Sequence, residues 1–135
     1  MYKNILVPVS FEGDRNVDQA MLAAQTLASD GARITLLHVV QDVPLYVADY
    51  IPSEIAESNQ DMIKSKLDAL CAKVPNSIGH VKVGHPGNTI LAWADDNDVD
   101  CIVIASHQPA MSDYLLGSTA QLVVRHAKCC VHVVR

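Results

Sequence analysis

Short runs of almost uninterrupted apolar residues alternate along this chain with longer segments whose apolar residues recur every three or four positions. Ile5-Leu6-Val7-Pro8-Val9 is the first such run, and Cys101-Ile102-Val103-Ile104-Ala105 is another. A strand with one wet face alternates apolar and polar residues, so a run without alternation fits a strand covered on both faces, as in a parallel sheet. The alternation of the two patterns implies repeated strand–helix–strand units with right-handed crossovers, hence an α/β fold built on an open parallel sheet. A chain of 135 residues has room for one domain of ordinary size, so residues 1–135 are expected to form a single unit.

The first strand is expected over Ile5–Val9, with Pro8 near its end because an internal proline removes a ladder hydrogen bond. A helix should follow from about Asp14, whose carboxylate can cap the free amides, with a buried stripe of Val17, Ala20, Met21, Ala24, Leu27 and Ala28 and a stop at Gly31. Ile34–Val40 reads as the second strand, after which Pro44 and Pro52 bracket a connection rich in Tyr46, Asp49 and Tyr50. Ser53 can cap the next helix, which carries Ile63, Leu67, Leu70 and Val74 and ends before Pro75. The third strand, near Ile78–Val83, is the least apolar and belongs at a sheet edge. Gly84-His85-Pro86-Gly87 turns into a short helix with Ile90, Leu91 and Ala94; a last helix spans about Ser118–His126, and Cys130–Val134 forms the final strand.

Charge and cysteine usage exclude several classes. Ten Lys and Arg against 15 Asp and Glu, a net charge of -5, do not suit a surface that neutralises many phosphates, so nucleic acid is not expected as a partner. No run approaches the roughly 18–20 apolar residues of a membrane span, and the first residues lack a basic region followed by a long apolar run, which points to the cytoplasm. Cys71, Cys101, Cys129 and Cys130 lack paired spacing and read as reduced thiols; within Cys129-Cys130, one should face the core and the other solvent. The six histidines show no HxxxH or HExxH spacing, so no metal site is expected, and Trp93 reads as a packing residue. Ser106-His107 has no GxSxG elbow or orienting acid for nucleophilic catalysis, and a phosphorylated receiver domain would need acidic residues where this chain has Ser10.

In open parallel sheets, ligands bind beyond the carboxyl ends of the strands, where the strand order reverses. If the first and fourth strands flank that point, the loops Ser10–Asp14 and Ser106–Gly117 converge on one crevice. Gly117 would let the backbone approach closely in a left-handed turn, and Ser118 and Thr119 would offer hydroxyls and amides at a helix start, a terminus suited to phosphate. The plainer alternative is that Gly117 only turns the chain and Ser118 only caps the helix.

Beyond these patterns, Ile5-Leu6-Val7-Pro8-Val9, Leu36-Leu37-His38-Val39-Val40, Gly84-His85-Pro86, Ser106-His107, Leu115-Leu116-Gly117-Ser118 and Arg125-His126-Ala127 resemble the universal stress protein family across essentially the whole chain. Ala105-Ser106-His107-Gln108-Pro109 and Tyr114-Leu115-Leu116-Gly117-Ser118 look closest to its bacterial F/G-type members. The resemblance implies a Rossmann-like sheet of the adenine nucleotide alpha hydrolase type, in order 3-2-1-4-5, with helices on both faces and dimers joined through the last strand. It implies, in the ATP-binding branch, adenine nucleotide in the same crevice. The nucleotide-binding residues it marks here are Pro8, Val9, Ser10 and Phe11, then Val39, then Ala105, Ser106, His107 and Gln108, then Gly117, Ser118, Thr119 and Ala120. Ser10 stands where that branch has an aspartate, Ala105 and Gln108 stand where it has glycines, and the gap from Gln108 to Gly117 is one residue shorter than the family's.

The function expected is therefore that of a cytoplasmic stress-response protein, a regulatory dimer that binds ATP or ADP, with Mg2+ beside the triphosphate. The alternative is a dimeric protein-interaction module that binds no nucleotide. A crevice offering His107 and no lysine would support slow ATP hydrolysis at most.

Overall fold

The computed structural model of the chain describes residues 1–11, 15–41, 50, 53–106 and 117–135. Asp14 with its expected capping role, the connection between Pro44 and Pro52 except Tyr50, and the stretch 107–116 with His107 and Gln108 lie outside the described residues. In chain order the elements are β1 (Tyr2–Pro8), α1 (Arg15–Leu27), β2 (Ala28–Val40), α2 (Ser53–Cys71), β3 (Ser77–Val83), α3 (Pro86–Asp96), β4 (Cys101–Ala105), α4 (Ser118–His126) and β5 (Cys130–Val134). The strands form one five-stranded sheet in the order β3-β2-β1-β4-β5, and every neighbouring pair is parallel.

β1 and β4 are central, and their apolar runs follow from that position. Ile5 and Val7 point into a cluster with Met21, Ala24 and Leu67 beneath α1 and α2, whereas Leu6, Ile102 and Ile104 pack with Ile90, Ala94 and Val123 beneath α3 and α4. Each large side chain so buried contributes about 1.5–3 kcal/mol. β3 alternates half-buried and exposed residues at the sheet edge, as its polar composition implies. Among the described residues, no helix is long and apolar enough to cross a membrane.

Several boundaries differ from the sequence reading, and β1 runs Tyr2–Pro8 rather than Ile5–Val9. Ala28 does not extend α1 but opens β2, because it pairs with Tyr2 of β1, and ladder pairing overrides the helical spacing. Gly31 is not the helix stop; it lies where the β1–β2 register shifts, between the pairs Tyr2↔Ala28 and Asn4↔Arg33, and its φ of 76° suits that irregularity. Val74 is buried as expected but lies past the end of α2, where the Ser77 hydroxyl is placed to bond the carbonyls of Val74 at 2.7 Å and Cys71 at 3.0 Å.

The start of β1 is fastened to the α3–β4 turn. The Asp100 carboxylate accepts from the amides of Lys3 at 2.8 Å and Asn4 at 3.1 Å, and the Asn4 side-chain amide donates to the carbonyls of Asn97 at 2.7 Å and Asp98 at 3.3 Å. Trp93 is a packing residue, half-buried, with the His80 ring 4.7 Å away and the Lys82 ammonium 5.4 Å from its ring centre. Cys129 is half-buried and Cys130 exposed, the split expected of adjacent strand residues.

Candidate functional site

The chain runs from β1 outward through β2 to β3, then returns to the other side of β1 for β4 and β5, so the order reverses between β1 and β4. Beyond the carboxyl ends of these strands lies a cavity of about 690 Å3, within the range of small-molecule sites.

One wall comes from the end of β1. Pro8 pairs with Leu37, and the Val9 amide continues the ladder to the Leu37 carbonyl at 2.9 Å. His38 Nδ1 lies 2.9 Å from the Val9 carbonyl oxygen. A carbonyl only accepts, so Nδ1 carries the proton of that bond. The His38 and Phe11 rings are tilted at 45° with centres 4.8 Å apart, and the Lys66 ammonium of α2 sits 5.7 Å from the Phe11 ring centre. Ser10, exposed, and Val39, half-buried, complete this side.

The opposite wall is the junction of β4 and α4. Ser106 is buried; its amide donates to the Val134 carbonyl at 2.9 Å, and its hydroxyl donates to the same oxygen at 3.3 Å. That hydroxyl is directed at β5. The Ser106 carbonyl accepts from the Gly117 amide at 3.0 Å, and Gly117 caps α4 with φ -60° and ψ 155°. Gly117 is therefore extended rather than left-handed, contrary to the sequence expectation, and its lack of a side chain matters for space: a Cβ there would lie 3.2 Å from the Ser106 oxygen. The first intrahelical bond is Gln121 to Gly117 at 2.9 Å, so the amides of Ser118, Thr119 and Ala120 have no intrahelical partner. Helix-dipole charge adds to these donors and favours an anion there.

A second cavity of about 710 Å3 opens beside the first, sharing Gln41, Pro86, Ser118 and Thr119 with it. His85 bounds it while capping α3, its Nδ1 accepting from the Asn88 amide at 3.3 Å.

Of the residues singled out in the sequence, the structure brings together on the main cavity Pro8, Val9, Ser10 and Phe11 from β1, Val39 from β2, Ala105 and Ser106 from β4, and Gly117 through Ala120 at α4. Lys66, His38 and Gln41 line it too and were missed. Lys66 corrects the expectation of a crevice without lysine. It lies three positions after Ile63 of the buried stripe and so shares that side of the helix, but that spacing alone does not bring it to the cavity, because a lysine beside a buried stripe usually points to water. Among the described residues lining either cavity there is no Asp or Glu, and Lys66 is the one Lys or Arg, although the chain carries a net charge of -5.

Comparison with known proteins agrees with this architecture. The universal stress protein family model matches residues 1–135. Universal stress protein G of Escherichia coli O157:H7 is 33% identical over 144 aligned positions, covering 100% of both chains. The solved structure of universal stress protein UspA from Lactobacillus plantarum superposes with a TM-score of 0.76 at 28% identity, covering 99% of this chain and 98% of that one. A universal stress protein from Archaeoglobus fulgidus, solved in complex with dAMP, shares the fold with a TM-score of 0.69 at 20% identity, over 99% of this chain and 98% of the other. With a match over its whole length and a full-length relative at 33% identity, the chain belongs to the universal stress protein family.

Proposed function

We propose that the protein binds an adenine nucleotide, ATP or ADP, in the crevice between β1 and β4 and acts as a nucleotide-dependent regulatory protein in the cytoplasmic stress response. The observation that carries this reading is the pairing, on one cavity, of a helix start whose Ser118, Thr119 and Ala120 amides have no intrahelical partner and a wall without carboxylates among the described lining residues. An anion gains from both. The dAMP-bound relative with the same fold supports adenine nucleotide as the class of anion. In this pose the phosphates meet α4, and the base and ribose lie toward Ser10, Phe11 and Val39.

The donor set also fits Mg2+ accompanying a triphosphate, a hard cation that takes oxygen ligands and keeps several waters. The Ser118 and Thr119 hydroxyls would be its protein ligands, and it would neutralise phosphate charge. Hydrolysis should be slow or absent, because no carboxylate among the described lining residues stands ready as a general base.

The test is calorimetric titration with ATP and Mg2+, ADP and adenosine, together with ultraviolet absorbance of the supernatant after denaturing freshly purified protein. Saturable binding of ATP or ADP, or release of a carried nucleotide, is expected. Protein that carries no nucleotide and ignores added ATP at millimolar concentration would instead be an interaction module.

A further inference from the structure

At the end of the sheet remote from the crevice, β4 and β5 each begin with a cysteine. Cys101 and Cys130 are register partners. Neighbouring strands lie about 4.7–4.9 Å apart, inside the Cα separation that a disulfide spans. Register partners also point to the same face, and Cys101 belongs to the cluster beneath α1 and α2 with Val103 and Val134. The Cys101 thiol donates to the Ile102 carbonyl at 3.8 Å, and Cys130 is close enough to raise its pKa further after burial. The Cys130 sulfur accepts from the Tyr2 phenol, which pushes that phenol's pKa up. Both thiols are free, Cys101 at 1% exposure and Cys130 open to solvent. Cys129 packs on the opposite face, in the cluster beneath α3 and α4.

We propose that Cys101 and Cys130 form an oxidant-responsive dithiol, in which the exposed Cys130 meets a hydroperoxide and the buried Cys101 closes a disulfide across the last two strands. In the first step the Cys130 thiolate attacks the terminal oxygen of the hydroperoxide. The O–O bond breaks, the sulfur is oxidised to a sulfenic acid, and the peroxide is reduced to an alcohol, or to water from hydrogen peroxide, with a proton from solvent. In the second step the Cys101 sulfur displaces hydroxide from the sulfenic sulfur; the thiol proton joins that hydroxide as water, and the S–S bond forms. Burial and the neighbouring thiols push Cys101 up to about 11, so few Cys101 thiolates exist at neutral pH and closure is the slower step.

The experiment treats the purified protein with hydrogen peroxide and maps peptides without reduction. The expected product is a Cys101–Cys130 linked peptide, lost on adding a thiol reductant and still formed in Cys129→Ser. In Cys130→Ser, an exposed change that leaves the core intact, Cys101 should remain reduced under the same treatment. A sulfenic-acid trap added early to the unaltered protein should label Cys130 before the disulfide accumulates. Linkage of Cys129 to Cys130, linkage between two chains, or irreversible oxidation of Cys130 with Cys101 still free after unfolding would overturn the proposal. None of these readouts depends on nucleotide binding.

Discussion

The backbone amide of Gly117 donates to the carbonyl oxygen of Ser106 at 3.0 Å, which fastens the start of α4 to the end of β4. A Cβ at Gly117 would sit 3.2 Å from that same oxygen. Because φ is -60°, alanine there meets no backbone strain, only the need to lengthen this one bond. Gly117→Ala should lower stability by about 1 kcal/mol or less and weaken ATP binding several-fold by shifting the helix start. Gly117→Val should do more on both counts. Thermal melts and ATP titrations of the two variants check this.

Ser118 offers its hydroxyl and its amide at the same helix start, and alanine removes the hydroxyl alone. Loss of one hydrogen bond to a charged group, about 1.5–3 kcal/mol, should lower ATP affinity roughly 10- to 150-fold. Adenosine, which has no phosphates, should lose much less. Equal ATP affinity in a folded Ser118→Ala protein would place the phosphates elsewhere.

Lys66 should contribute to the charge of the crevice without being essential. It is exposed, and a solvent-exposed charge contact is worth up to about 1 kcal/mol, so Lys66→Ala should reduce ATP affinity roughly two- to fivefold. The dependence of binding on salt should flatten at the same time. An affinity that rises in Lys66→Ala would mean that the ammonium competes with the ligand for the Phe11 ring.

Alkaline pH should destabilise the fold through Cys101. Its thiol ionises at 9.0 when unperturbed and at about 11 in the folded protein, where burial penalises the thiolate. The folded state thus holds its proton more tightly, and this contribution is complete below about 9 and is lost as pH climbs toward 11. Cys71 and Cys129, also raised by burial, act in the same direction. Urea unfolding midpoints across that interval should therefore fall in the unaltered protein and fall less steeply in Cys101→Ala.

β5 closes one edge of the sheet, and pairing its outer side with the β5 of a second copy would cover the free ladder groups. Sedimentation at tens of micromolar is expected to show a dimer; a monomer would leave that edge to be protected in some other way.

Strand identity was legible wherever burial on two faces left a continuous apolar run. β4 and β5 fall on the residues expected from Cys101-Ile102-Val103-Ile104-Ala105 and Cys130–Val134. Ala28 and Gly31 misled because the residues that decide their conformation lie in β1, more than 20 positions earlier, where Tyr2 claims Ala28 as a partner. The site was legible along the strand ends and the α4 start, since both follow from sheet topology and helix termini. Lys66 was not, because its place depends on how α2 lies across Phe11, and a lysine beside a buried stripe usually only points to water. At Gly117 the close approach expected is present and the left-handed turn is not: a glycine signals either unusual dihedrals or close approach, and sequence alone does not separate the two.

The fastening of Lys3 and Asn4 to Asp100 and the α3–β4 turn assigns the two ends of β1 different jobs. Side-chain fastening of the central strand is concentrated at the end remote from the crevice, whereas at its mouth the ladder alone, Pro8 beside Leu37 and the Val9 amide on the Leu37 carbonyl, holds the register. Ser10 and Phe11 lie at the other end, on the wall of the crevice, where Phe11 still packs against the core. The frame is thus anchored at one end of β1, and the uncharged Ser10 at the rim of the crevice belongs to the other.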